Sequence, residues 1–212
     1  MIERRTIWLV AAALLGSACA TQAQYVGSDT ADLPPAGLGR LSQDQISITL
    51  QQGDLQIRFL PLDQRVLRLL APDGYASLSA ILGSKRAAVD SIAQRNGITN
   101  PGVALVTFFA QRSNVTFQPQ DLFLNVRNQI YRPIAIIPYS PGFSNQQIQT
   151  RGQASGFFVF ELPIPVLEPF QVGYGGTIST GWSDALPTMQ RERDRVILRW
   201  RQQSPDSMRP SR

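Results

Sequence analysis

The chain has no histidine and a single cysteine, Cys19, in 212 residues. Without imidazole there is no Ser-His-Asp or Cys-His relay, no His-ligated metal site and no histidine proton switch. One thiol forms no internal disulfide, so the fold must hold without a covalent staple. No cofactor is expected. Carboxylates remain as acid–base groups. Glu161 interrupts an apolar stretch, while Asp121, Glu168 and Asp184 are scattered among loop segments with no fixed spacing. Paired carboxylates can come from distant positions, so a hydrolase using scattered acids stands as the alternative to a non-enzymatic chain. Glu161 itself reads as a carboxylate at the solvated end of a half-buried strand face. Gly173-Tyr174-Gly175-Gly176 lacks the Lys-Ser/Thr of a phosphate-cradling loop and reads as a turn.

Cys19 sits where processing chemistry would need it. Arg4 and Arg5 precede an apolar run over residues 7–15, and Gly16, Ser17, Ala18 and Ala20 surround the thiol with small side chains. That order is the n-region, h-region and cleavage site of a secretory signal peptide. The run is far short of the roughly 20 residues that span a bilayer. Leu15-Gly16-Ser17-Ala18-Cys19 resembles the lipobox of bacterial lipoproteins, with Leu15 one step earlier than the usual pattern. The resemblance covers only the first 20 residues. It implies that diacylglycerol alkylates the thiol, that the chain is cut before Cys19, and that a lipid holds the protein at a membrane. A non-Asp residue after the cysteine, here Ala20, implies the outer membrane, facing the periplasm. Ordinary cleavage after Ala20 or Ala23 is the alternative, giving a soluble periplasmic or secreted protein.

The chain carries 20 basic and 15 acidic residues. Beyond residue 18 the imbalance is confined to one end. Residues 191–212 hold seven arginines against Glu192, Asp194 and Asp206, while residues 19–190 carry eleven charges of each sign. Arginine presents a planar fork of donors that fits phosphate and carboxylate. Arg191, Arg193, Arg195, Arg199 and Arg201 are therefore the candidate contacts to an anionic surface or an acidic envelope protein. The competing reading is a solvated helix, partly neutralised by Glu192 and Asp194. Export and a neutral body argue against nucleic acid as partner.

Those residues need positioning elements. Residues 1–18 read as the signal peptide. Residues 19–43, rich in Pro, Gly and polar side chains, read as the lipid-anchor site and a flexible linker. Residues 44–203 form one β-rich domain, and residues 204–212 a basic tail. Ile46, Ile48 and Leu50, then Leu55, Ile57 and Phe59, alternate about a Gly-containing turn and predict a hairpin. Residues 64–96 predict a helical insertion. Asp63 caps a short helix over 64–70, Pro72-Asp73-Gly74 breaks it, and Asp73 caps a longer one. The longer helix carries a stripe of Tyr75, Leu78, Leu82, Val89, Ile92 and Ala93, with Gly97 as its stop. Strands follow at 103–110, 122–126 and, more loosely, 130–137, with a turn at Asn128-Gln129 and Pro133 at an edge or bulge. Residues 138–145 form a loop. The clearest central strand is 156–163, with Phe158 and Phe160 on the inter-sheet side. By this reading, alanine at Phe143 costs much less than alanine at Phe160. Residues 188–202 fit a helix, or a strand if only Val196, Leu198 and Trp200 count; helix is preferred.

The stretch 103–174 is similar to the telokin-like, immunoglobulin-type domains of secreted bacterial proteins. The similarity rests on 122–126, on Gly156-Phe157-Phe158-Val159-Phe160-Glu161-Leu162-Pro163 and on Phe170-Gln171-Val172-Gly173-Tyr174. It lacks the Cys-Trp-Cys core of antibody domains. It implies an antiparallel immunoglobulin-like β-sandwich, here with a helical insertion and a C-terminal helix, used as a binding scaffold. The combined expectation is a mainly β, non-enzymatic cell-envelope lipoprotein acting as a binding or assembly module.

Overall fold

The computed structural model describes residues 33–203. The chain is mostly antiparallel β structure with a few helices, one of them C-terminal. In order the elements are β1 (Ile48–Gln52), β2 (Leu55–Pro61), α1 (Gln64–Leu67), α2 (Pro72–Arg95), β3 (Gly102–Ala110), β4 (Val115–Thr116), β5 (Leu122–Val126), β6 (Gln129–Tyr131), β7 (Ala135–Pro138), β8 (Gln147–Ile148), β9 (Gln153–Phe160), β10 (Gln171–Tyr174), β11 (Thr177–Ser179) and α3 (Gly181–Gln203). One sheet runs β1-β2-β3-β9-β7, a second β11-β10-β5-β6, and β4 pairs with β8.

Register explains how the sheets share a core. Phe59 lies opposite Val106, Ile57 opposite Phe108, and Ala104 opposite Phe158, so these side chains leave one face of the larger sheet together. On the smaller sheet, Leu122 and Leu124 lie opposite Tyr174 and Val172. The two faces meet through aromatic contacts: Phe108 to Tyr174 at 5.7 Å, and Phe59 to Phe170 at 6.3 Å. Leu60, Val103, Phe157 and Val159 leave the other face of the larger sheet. They too are buried, in one apolar cluster with Leu78, Val89 and Ile92 of α2. Four consecutive side chains of β9, Phe157 to Phe160, are thus fully buried. A strand covered on both faces reads as a continuous apolar run rather than an alternation.

Several expectations are corrected in detail. β9 is an interior strand, paired with β3 on one side and β7 on the other, while β3 is the middle strand of the five. Glu161 lies just past β9 and is exposed, and its strand's second face is buried rather than half-solvated. Pro72 starts α2 instead of breaking a helix, because a proline at the first helical position is preset for helix and its missing N–H is not needed there. Ala71 is the cap and Asp73 sits in the first turn. Asp63 does cap α1, accepting the Arg65 N–H at 2.8 Å, but α1 stops at Leu67. The hairpin turn falls at Arg127-Asn128, both at positive φ, which is the geometry of a two-residue turn between β5 and β6. The run 130–137 splits at Arg132-Pro133, where the chain crosses from one sheet to the other. Gly173-Tyr174-Gly175-Gly176 is the β10–β11 hairpin, with Gly175 and Gly176 both at positive φ.

Two further corrections bear on the site. Residues 33–43 are not a flexible linker. Pro34, Gly39 and Leu41 are buried, the Leu41 N–H donates to Leu69 O, and the Ala71 N–H donates to Leu41 O, both at 3.0 Å. Gly39 permits this approach, since a Cβ there would stand 2.2 Å from the Leu69 main chain. Phe143, expected on an open loop, is 4% exposed and packs against Phe117 and Phe158.

Candidate functional site

The C-terminal helix is longer than its sequence pattern alone suggests. Trp182, Met189, Glu192 and Val196 are buried, and this three-to-four spacing defines the inward side of α3. Trp182 anchors the start: its ring centroid lies 5.0 Å from that of Phe170, and its Nε1–H donates to Val166 O at 3.3 Å. Pro187 sits inside the helix at an exposed position, where the carbonyl that loses its partner can face water.

Glu192 is a carboxylate on an apolar stripe, and the local geometry answers why. Arg195 donates to it through Nε and Nη2 at 2.7 and 2.6 Å, a bidentate pair. The main-chain N–H of Arg40 donates to it at 2.7 Å. The hydrogen bonds from Arg195, aided by the Arg40 N–H, hold the Glu192 carboxyl below its ordinary range against the opposing effect of burial. Arg195 Nη2 also donates to Leu38 O at 2.6 Å. One Glu–Arg pair therefore fastens residues 38–40 to α3.

Beside this fastening is an open groove of about 420 Å³, lined by Arg40, Arg195, Leu198, Arg199 and Gln202. Of the five candidate arginines, it unites Arg195 and Arg199. Arg195 is committed to Glu192 and Leu38, whereas Arg199 is exposed with no partner among the described residues. Arg201 is likewise exposed. Arg193 is half-buried, and Arg191 is bonded back to Pro187 O and Thr188 Oγ1 of its own helix. None of these three lines the groove. Cys19 lies outside the described residues. Arg40, Leu198 and Gln202 were not singled out as site residues. Arg40 belongs to a segment that reads as linker, and no sequence signal joins it to a helix about 150 residues away.

A smaller cavity of about 170 Å³ lies between Pro119, Gln120, Ile136, Pro138, Phe143, Ser144 and Gln146, without a charged wall. Among the described residues no three Asp, Glu, Cys or His side chains converge as a metal site would need. Asp63 is paired with Arg65 and Glu168 with Arg127. No described helix is long and apolar enough to cross a membrane. No family model, curated protein or solved structure matches this chain.

Proposed function

We propose that this chain is a non-enzymatic envelope lipoprotein, tethered through a lipid on Cys19 and acting as a binding or assembly module. The observation that carries the reading is the lone thiol, placed directly after an apolar run and a block of small residues, ahead of the packed body that begins by Pro34. Two acyl chains on that thiol, at about 0.8 kcal/mol per buried CH₂, anchor a domain stably where one chain is marginal. The scaffold in this reading is an immunoglobulin-like sandwich. Two antiparallel sheets facing across an aromatic core support it. Direct pairing of β2 with β3 departs from the immunoglobulin order, in which the second and third strands lie in opposite sheets. Asp63, Glu168 and Glu192 each serve an arginine, a structural use of these three carboxylates that suits a scaffold. The outer membrane, facing the periplasm, is the proposed location.

The test is cell fractionation with a fatty-acid label. Wild-type chain is expected in the membrane fraction, labelled; Cys19→Ala is expected unlabelled and soluble. Identical partitioning of the two into detergent removes the tether.

A further inference from the structure

We infer that the groove of Arg40, Arg195, Leu198, Arg199 and Gln202 docks on phosphate-bearing headgroups of the membrane surface. The choice of a membrane as occupant rests on the tether proposed above; the chemistry of the groove does not.

The groove has a net positive wall. Glu192 balances Arg195, and this leaves the exposed Arg40 and Arg199 to face an anion. Asp194, the next acid along the same helix, does not line it. Arginine matches phosphate oxygens with two parallel donors. The groove also has an apolar component of a particular kind. Leu198, in its wall, is 57% exposed; Trp200, 42% exposed, lies outside the groove on the same last turns of α3, as does Arg201. Trp and Leu beside arginine suit the headgroup boundary, where rings and aliphatic chains bury while guanidinium groups meet phosphate. An acidic peptide would use the charges but has no comparable use for these side chains.

Position adds the second argument. Residues 38–40 are fastened to α3 at Glu192 and Arg195, and Arg40 itself forms a wall of the groove. Cys19 precedes Leu33 by fourteen residues, a reach of at most about 50 Å when extended. A lipid on Cys19 thus keeps the body within that reach of the surface. The tether supplies proximity, and the arginines orient the body on the surface.

The experiment measures backbone amide exchange over residues 38–42 and 195–203 in the full chain. Vesicles contain phosphatidylglycerol with phosphatidylcholine, or phosphatidylcholine alone. Slower exchange is expected on the anionic vesicles, reversed by high salt and absent on the neutral ones, because screening weakens exposed charge contacts. Each surface arginine contributes roughly a fivefold factor in affinity, so Arg40→Gln with Arg199→Gln should lower binding roughly 25-fold. Both side chains are exposed, and the bond from Arg40 to Glu192 uses the main chain, so an unchanged melting temperature is expected. Arg40→Lys with Arg199→Lys should retain most binding. Arg112→Gln with Arg151→Gln, an equal charge change elsewhere, should retain all of it. Equal protection on neutral vesicles, or no loss in the double glutamine variant, overturns the proposal. Equal protection by poly-glutamate without vesicles assigns the groove to an acidic protein and also overturns it. Cys19→Ala in the same assay separates the two readings: protection that persists while fractionation shows no tether leaves the groove standing, and the converse removes the groove alone.

Discussion

Glu192 is 8% exposed on the inward side of α3, where an ionised carboxylate persists only with hydrogen-bonding partners. Arg195 first, then the Arg40 N–H, provide them and lower its pKa from the ordinary 4.5. A carboxylate whose folded pKa is depressed stabilises the fold above its unfolded pKa. That contribution is lost as pH falls through the folded value. The melting temperature of the wild type should therefore decline as the solution is acidified below pH 4.5. Glu192→Gln should cost about 1.5–3 kcal/mol at neutral pH, the range for hydrogen bonds to a charged group. Its melting temperature should also decline less on acidification, because the titrating group is gone. Parallel pH profiles for the two proteins would show that Glu192 is not a source of the acid sensitivity. Nothing in the sequence marks Glu192 for this role. It reads there as one of two acids diluting an arginine run, since its main-chain partner is 152 residues distant.

At the scale of elements, legibility follows the range of the interaction that forms each one. The β1–β2 hairpin, α1 with its Asp63 cap and the stripe of α2 rest on neighbours a few residues away, and their patterns are visible along the chain. β9 was visible as an apolar run, but not that both its faces are covered, because the covering side chains come from segments distant in the chain. Phe143 shows the limit most clearly. Pro141, Gly142 and Ser144 around it signal a turn, and the turn is there, a single 3-10 stretch at Pro141–Phe143. Composition cannot tell that the ring folds under it into the cluster with Phe108, Phe117 and Phe158. The expected stability order changes accordingly. Phe160→Ala should cost about 3–5 kcal/mol, and Phe143→Ala should now fall in the same range rather than far below it. Gly156→Ala should destabilise by about 1–3 kcal/mol, because its new methyl would sit 2.7 Å from the Phe143 ring. Chemical denaturation of the three variants checks the set; a Phe143→Ala midpoint indistinguishable from wild type would place that ring outside the core.

For the whole molecule, the informative feature is that its two ends of described chain are fastened to each other. Residues 33–41 lie between the α1 turn on one side and α3 on the other. Main-chain bonds join Leu41 to Leu69 and Ala71, the close approach at Gly39 meets Leu69, and Glu192 and Arg195 hold Leu38 and Arg40. A segment read as linker from its Pro and Gly content is thus a clamp, and the groove exists only because the clamp brings Arg40 to α3. Two substitutions loosen it from opposite sides. Gly39→Ala pushes the segment off Leu69, at a cost of about 1–3 kcal/mol. Glu192→Gln releases it from α3. If the segment docks as one unit, either change already forfeits part of what the other would remove. The double variant should then lose less than the sum of the single losses by about 0.5–3 kcal/mol, the range of coupling between residues that share a network. Both single variants should also speed amide exchange at Leu41 and Ala71 together. Additive losses, with exchange changed only at the mutated side, would mean that the two attachments act independently and that Arg40 reaches the groove without help from Gly39.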